Sequence, residues 1–103
     1  MIRTFADKET ELIFSGIKSR KLPPEIQNSA RRKLRMIYAA KTVDDLRIPP
    51  ENRLEKLSGN LDGYFSVRIN GQWRIVFRFE DGGAENVGIQ EYHRRQATEH
   101  SSR

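Results

Sequence analysis

The sequence contains no cysteine. This absence excludes disulfide bonds, thiol catalysis and zinc sites that use cysteine ligands. A domain without disulfides suits a reducing compartment, so we expect the protein to act in the cytoplasm. Long apolar runs are absent as well. The segment that begins Met1-Ile2-Arg3 has no apolar signal core, and no stretch approaches the length of a membrane span, so we expect no membrane partner.

Two further signatures of enzymes are missing from the sequence. No glycine-rich phosphate loop follows a predicted strand, which argues against an NTPase or a dinucleotide-binding enzyme. The chain has two histidines, His93 and His100, and they stand alone in a polar region rather than at the spacing of metal ligands. We therefore expect neither a metal site nor a cofactor.

Positive charge is plentiful. Lys and Arg number 19 against 14 Asp and Glu, which gives a formal net charge of +5, and 13 of the 19 are Arg. Arginine binds phosphate with two parallel hydrogen bonds and stacks on bases. The charge balance favours a polyanionic partner such as a nucleic acid, although many small basic proteins bind none.

Apolar spacing predicts two N-terminal helices in a single domain, the number expected for 103 residues. The first helix begins after the N-cap residue Asp7 and ends near Gly16. Its apolar residues at helical spacing are Leu12, Ile13 and Ile17.

The second helix is longer and opens at the two prolines of positions 23–24, because proline is tolerated in the first helical turn. Its buried stripe is predicted to consist of Ile26, Ala30, Leu34 and Ile37. On the other side lie three basic residues that we expect to form a solvated face, namely Arg31, Arg32 and Arg35.

Alternating patterns predict strands in the rest of the chain, after a possible opening strand at 2–5. These strands cover residues 53–57, 64–69, 73–79 and 84–92. The fold class is therefore α+β, with two N-terminal helices packed on one face of a small twisted antiparallel sheet.

The register of the predicted hairpin between 64–69 and 73–79 decides which side chains share a face. Asn70-Gly71 usually forms a two-residue turn, which would pair Ile69 with Gln72. A three-residue loop or a bulge pairs Ile69 with Trp73 instead, and we expect this register because apolar residues then share one face of both strands. Five residues should then share the face away from the core: Tyr64, Ser66, Arg68, Arg74 and Arg78.

The C-terminal Glu91-Tyr92-His93 offers groups that suit RNA cleavage. RNA is cut without metal when its 2′-OH attacks the neighbouring phosphate, which needs a base, an acid and cations near the transition state. Histidine and carboxylates serve as base and acid, and arginine stabilises the charge. Three such residues also occur at ordinary strand ends, so the motif alone is weak evidence.

Further segments accompany that motif: Leu57-Ser58-Gly59, Gly63, the run from Ser66 to Asn70, Gln72-Trp73-Arg74-Ile75 with Phe77, and Asn52-Arg53-Leu54. Together with the opening Met1-Ile2-Arg3-Thr4-Phe5, this combination resembles the HigB branch of the RelE/ParE toxin superfamily, the plasmid maintenance system killer proteins. The resemblance spans residues 1–93, which we expect to form a RelE/HigB-like toxin domain, with 94–103 as a polar, mobile extension.

The resemblance implies a RelE-like fold and a bacterial toxin of a type II toxin–antitoxin system. It further implies a ribosome-dependent endoribonuclease that cuts mRNA in the 30S A site, partnered by a HigA-like helix-turn-helix antitoxin through which the complex binds operator DNA. The implied catalytic residues are Arg74, Glu91, Tyr92 and His93. The implied RNA contacts are Arg53, Lys56, Arg68 and Arg78.

Two positions depart from the family pattern. The closing acid is commonly Asp, and here it is Glu91, while some members carry His where this chain has Glu55. Two other functions therefore stay open beside the endoribonuclease. ParE-type relatives share the fold and block DNA gyrase, and a non-catalytic module that binds RNA or the ribosome is also compatible with the sequence.

Overall fold

The first helix follows the pattern that its cap predicts. In the computed structural model, which describes residues 1–92, α1 (Lys8–Phe14) begins after Asp7, whose Oδ1 accepts the Thr10 backbone N–H at 2.7 Å. The chain leaves the helix through Gly16, whose positive φ of 86° suits glycine. Ile17 was counted with Leu12 and Ile13 among the apolar residues at helical spacing. It lies beyond the helix end instead and is 53% exposed, so that prediction was wrong.

The second helix, α2 (Pro24–Ala39), confirms the predicted stripe, whose four residues are all at most 1% exposed. Arg32 and Arg35 are exposed as expected. Arg31 is only half-exposed, because its Nε donates to the carbonyl oxygen of Ile13 at 3.1 Å. It therefore joins α2 to the end of α1 rather than belonging to a purely solvated face.

Four antiparallel strands form one sheet in the order β1-β2-β3-β4. They are β1 (Glu55–Lys56), β2 (Tyr64–Arg68), β3 (Trp73–Glu80) and β4 (Gly83–Glu91). The first strand is shorter than the predicted 53–57, because Arg53 adopts a left-handed backbone conformation that ends a short 3-10 turn.

The N-terminal segment runs parallel to β4 but pairs with it only at isolated bridges, Ile2 with Ala84 and Phe5 with Val87. Residues 2–5 therefore form an interrupted strand. The interruption lies beside Asn86, whose positive φ of 54° accompanies the shift of register between β3 and β4. A β-bulge of this kind bends a strand and breaks regular pairing with its neighbour.

The hairpin between β2 and β3 has the predicted register. Val67 lies opposite Ile75, and the Ile69 N–H donates to the Trp73 carbonyl at 2.8 Å. The side chain of Asn70 explains why a three-residue loop forms, since its Oδ1 accepts the backbone N–H groups of Gln72 at 2.8 Å and Trp73 at 2.9 Å.

The core lies between the two helices and one face of the sheet. Apolar residues of β2, β3 and β4 form the sheet side of this core, and they include Val67, Ile75, Phe77, Val87 and Ile89. The opposite face, which neither helix covers, carries Tyr64, Ser66, Arg68, Arg74 and Arg78, as the register requires. No helix of the described chain is long and apolar enough to cross a membrane.

Replacing Ile37 with Ala tests whether the α2 stripe is the principal support of the fold. Because Ile37 is fully buried, Ile37→Ala should lower the free energy of unfolding by about 2–5 kcal/mol in urea denaturation. The matched control is Ile17→Ala at the 53% exposed position, which should change it by no more than about 0.5 kcal/mol. Equal losses in the two variants would contradict the packing described above.

Candidate active site

A cavity of about 310 Å³ opens on the sheet face that the helices leave uncovered. All four strands contribute to it, because side chains from alternate positions of neighbouring strands point to the same face. One wall comes from β1 and the residues after it, the floor from β2 and β3, and the other wall from the end of β4. The lining residues are Glu55, Lys56, Leu57, Ser58, Leu61, Ser66, Arg74, Val76, Gln90, Glu91 and Tyr92.

The floor of the cavity holds the guanidinium of Arg74, which is only 7% exposed. Its Nε donates to the Ser66 Oγ and its Nη2 to the Arg53 carbonyl oxygen, both at 2.8 Å. The Glu55 carboxylate lies 3.9 Å from Nη2. These contacts come from two separate stretches of the chain, residues 53–55 and Ser66, so they fix both the position and the plane of the guanidinium.

Both burial and the nearness of other cations affect the pKa of Arg74. Burial lowers the pKa of the Arg74 guanidinium below its usual value, and the Glu55 carboxylate acts in the opposite direction. The neighbouring guanidinium groups of Arg68 and Arg53 lower it further. Because arginine stays protonated in proteins even so, the cavity floor carries a cation that is poorly hydrated and therefore strongly attractive to an anion.

Tyr92 covers this cation from the end of β4. The Arg74 Cζ lies 5.2 Å from the centroid of the Tyr92 ring, a cation–π distance. The backbone N–H of Tyr92 donates to the Gln72 carbonyl at 2.5 Å, which ties the end of β4 to the tip of the β2–β3 hairpin. Glu91 precedes Tyr92, is exposed and lies opposite Trp73.

Four of the predicted site residues therefore line one cavity: Lys56, Arg74, Glu91 and Tyr92. Glu55, whose role the sequence left open, lines it too. His93 and His100 lie outside the described residues.

The other predicted RNA contacts lie around the cavity rather than in it. Arg68 is the β2 partner of Arg74 and is half-exposed beside it. Arg78 lies near the far end of β3, over the Tyr64 ring at 5.8 Å and 4.0 Å from the Glu80 carboxylate. Arg53 reaches the site through its carbonyl, while the residue as a whole is exposed.

Sequence reasoning missed a buried polar pair behind the site. Lys33 is 8% exposed, and its Nζ donates to the Oδ1 of Asn52, which is fully buried. Burial lowers the pKa of the Lys33 ammonium, and the Glu51 carboxylate partly offsets that effect. The signal was present in the spacing, since Lys33 falls between Ala30 and Ile37 on the apolar stripe of α2. Among residues 1–92, no group of three or more His, Asp or Glu side chains could hold a metal ion.

A comparison with protein families identifies the family of the chain. The model of the RelE-like toxin of type II toxin–antitoxin system HigB matches residues 3–93. The chain belongs to this family of HigB-like toxins. The resemblance seen in the sequence is thereby confirmed.

Relatives of this HigB-like toxin include Toxin HigB-1 of Vibrio cholerae, which is 45% identical over 88 residues, covering 84% of this chain and 93% of the relative. Endoribonuclease HigB of Proteus vulgaris is 28% identical over 93 residues, covering 90% of this chain and the whole relative.

Solved structures confirm the expected fold of the HigB-like toxin. The YoeB–YefM complex from Staphylococcus aureus aligns with a TM-score of 0.58 at 19% identity, covering 90% of this chain and 98% of the matched chain. YafQ from E. coli aligns with a TM-score of 0.55 at 14% identity, covering 87% and 94%. At such low identities the likeness extends to the fold alone.

Replacing Arg74 with Ala tests whether its hydrogen bonds stabilise the toxin. Because Arg74→Ala leaves the buried Ser66 hydroxyl and the Arg53 carbonyl without a partner, it should lower the free energy of unfolding by about 1–3 kcal/mol. Arg68→Ala, at the half-exposed paired position, should change it by no more than about 0.5 kcal/mol. Urea denaturation followed by circular dichroism measures both. A fully stable Arg74→Ala variant would show that these bonds contribute nothing to the fold.

Proposed function

We propose that this HigB-like toxin is an endoribonuclease that cuts translated messenger RNA on the ribosome. The observation that carries the proposal is the buried Arg74 guanidinium, held in a cavity that it shares with Glu91 and Tyr92. A poorly hydrated, fixed cation stabilises negative charge more strongly than a mobile surface cation does, because it needs no reorganisation during the reaction. The name of the Proteus vulgaris relative, Endoribonuclease HigB, supports the same activity.

Arg74 suits the role of binding the scissile phosphate. Its Nε and Nη2 donate to protein atoms, whereas Nη1 makes no hydrogen bond within residues 1–92. A phosphate oxygen bound there would lie beside a cation whose orientation is already fixed. As the 2′-oxygen attacks, charge builds on the non-bridging oxygens of the phosphate, and Arg74 would stabilise that charge in the transition state.

The proposed cleavage forms the bond from the 2′-oxygen to phosphorus and breaks the bond from phosphorus to the 5′-oxygen, without a metal ion. His93 would accept the 2′-OH proton, because a histidine with an ordinary pKa near 6.5 exchanges protons around neutrality. The leaving 5′-oxygen would gain a proton from a general acid. Glu91 would orient His93 or share the proton transfer, and Tyr92 would stack on or hydrogen-bond the nucleotide.

Cations beside the cavity extend the proposed RNA contact. Lys56 lines the cavity, Arg68 is paired with Arg74 beside it, and the exposed Arg53 lies close enough for its charge to act on Arg74. Arg78 is four residues along β3 from Arg74, so their Cα atoms are separated by about 13 Å. Arginines spaced along one sheet face suit successive phosphates of an extended strand better than a single compact anion.

The proposed partners follow from the family and from the matched structures. A type II system pairs its toxin with an antitoxin, and one matched structure is the YoeB–YefM complex. We propose a HigA-like helix-turn-helix antitoxin for this chain, with operator DNA bound through the antitoxin. The ribosome would hold the mRNA in the 30S A site, because a single small sheet face offers too little surface to bind RNA without it.

Mapping of 5′ ends tests ribosome dependence. After brief induction, transcripts should gain new 5′ ends inside translated regions, and a translation inhibitor that empties ribosomes of mRNA should remove them. Purified protein should cut free RNA much more slowly than the same RNA on programmed ribosomes. Equal rates on free and ribosome-bound RNA would contradict this prediction, and inhibition of purified gyrase without RNA cleavage would favour the ParE-type activity instead.

Substitution of His93 tests the proton transfer. One acid–base partner is worth about 10²–10⁴-fold in rate, so His93→Ala should lose about that much cleavage while still binding ribosomes. His93→Gln keeps a hydrogen-bonding group but exchanges no proton, so it should fail nearly as badly. His100→Ala is the matched control and should be close to wild type. If His93→Gln cleaves at the wild-type rate, the base must be Glu91, or a group near Glu55 and Lys56.

A further inference from the structure

The turn formed by Asn52 and Arg53, called here the 52–53 turn, has a backbone conformation that is uncommon for a residue other than glycine. Arg53 has φ 45° and ψ 56°, in the left-handed region. Residues with a long side chain rarely adopt this region, because Cβ then crowds the following carbonyl oxygen. Such strain persists only where surrounding contacts enforce it, and it concentrates at functional sites.

Asn52 supplies the contacts that enforce this conformation. Its side chain is fully buried, its Oδ1 accepts from Lys33 Nζ on α2, and its Nδ2 donates to the Leu46 carbonyl at 3.1 Å. A second carbonyl, that of Ile48, lies 3.5 Å from the same nitrogen. The amide is therefore bound on one side to α2 and on the other to the 46–48 segment, which fixes the backbone where Arg53 begins.

This backbone conformation determines where the Arg53 carbonyl group lies. The Arg53 carbonyl oxygen accepts the Nη2 of Arg74 at 2.8 Å. Ser66 holds Nε from the other side, so these two contacts define the plane of the guanidinium. An extended backbone at Arg53 would turn its carbonyl away from Arg74 and leave that plane defined by Ser66 alone.

We propose that the 52–53 turn is a positioning device for Arg74, and that Arg53 acts in it through its backbone conformation rather than through its charge. Lys33 and Asn52 thereby connect the helical layer to the orientation of the guanidinium on the opposite face of the sheet. The inference rests on the proposed function where it concerns cleavage, since the oriented Nη1 is the group that would meet the scissile phosphate. Its structural part is independent of that function.

A series of substitutions at position 53 separates the effect of the backbone conformation from the effect of the side-chain charge. Arg53→Gly, Arg53→Ala and Arg53→Val all remove the same cation, but they resist positive φ to increasing degrees. Loss of the cation should raise KM for ribosome-bound mRNA equally in all three. Because misplacement of a reacting group by about 1 Å costs about 10²-fold, kcat should fall in the order Gly, Ala, Val, with Val about 10- to 100-fold below Gly.

The same series has a readout that does not depend on activity. The Nη2–H resonances of Arg74, assigned by their loss in Arg74→Lys, should be protected from solvent exchange in the wild type and in Arg53→Gly, because the Arg53 carbonyl accepts a hydrogen bond from Nη2. Protection should fall in Arg53→Ala and again in Arg53→Val, measured on the folded protein. Should Arg53→Val fail to fold, the comparison of Gly with Ala still carries the test.

The outcomes separate the two proposals. Equal protection of the Arg74 Nη2–H groups across the series would overturn the positioning role of the 52–53 turn, and so would equal kcat values in an active enzyme. If the wild-type protein cleaves no RNA, with or without ribosomes, the proposed function is wrong. A graded loss of protection would still support the turn as the element that holds Arg74.

Discussion

Burial of a guanidinium beneath an open sheet face is the constraint on which the site depends. Moving a charge out of water is costly unless hydrogen bonds replace the lost hydration. Arg74 receives that replacement from the Ser66 hydroxyl, the Arg53 carbonyl and the nearby Glu55 carboxylate. Since these groups belong to β2, the 52–53 turn and β1, a correctly placed Arg74 requires the whole middle of the chain to be folded around it.

The register of the β2–β3 hairpin connects this site to the core. Arg74 and Ile75 are neighbours on β3, so one faces the cavity and the other the helices. A slip of one residue would exchange them, which would bury a cation among apolar side chains and expose isoleucine. The two hydrogen bonds that Asn70 accepts in the loop therefore protect the site and the core together.

Features that repeat along the sequence were predictable, and features set by single distant contacts were not. The α2 stripe and the alternation of β2 and β3 gave the fold class and the composition of the open face. Local patterns contained no sign that Arg53 would turn left-handed and shorten β1, because a buried Asn52 held by Lys33 enforces that conformation. Ile17 is a different case, because the neighbouring Gly16 marks the end of α1 although the apolar spacing continues past it.

The two faces of the sheet carry opposite thermodynamic roles. The helix-covered face buries apolar residues and stabilises the fold, whereas the open face concentrates Arg68, Arg74 and Arg78, whose mutual repulsion opposes it. Acidic side chains relieve only part of that repulsion, with Glu55 near Arg74 and Glu80 near Arg78. An anionic strand laid on this face would relieve the rest. The same unbalanced charge that weakens the free toxin would therefore strengthen its binding to RNA.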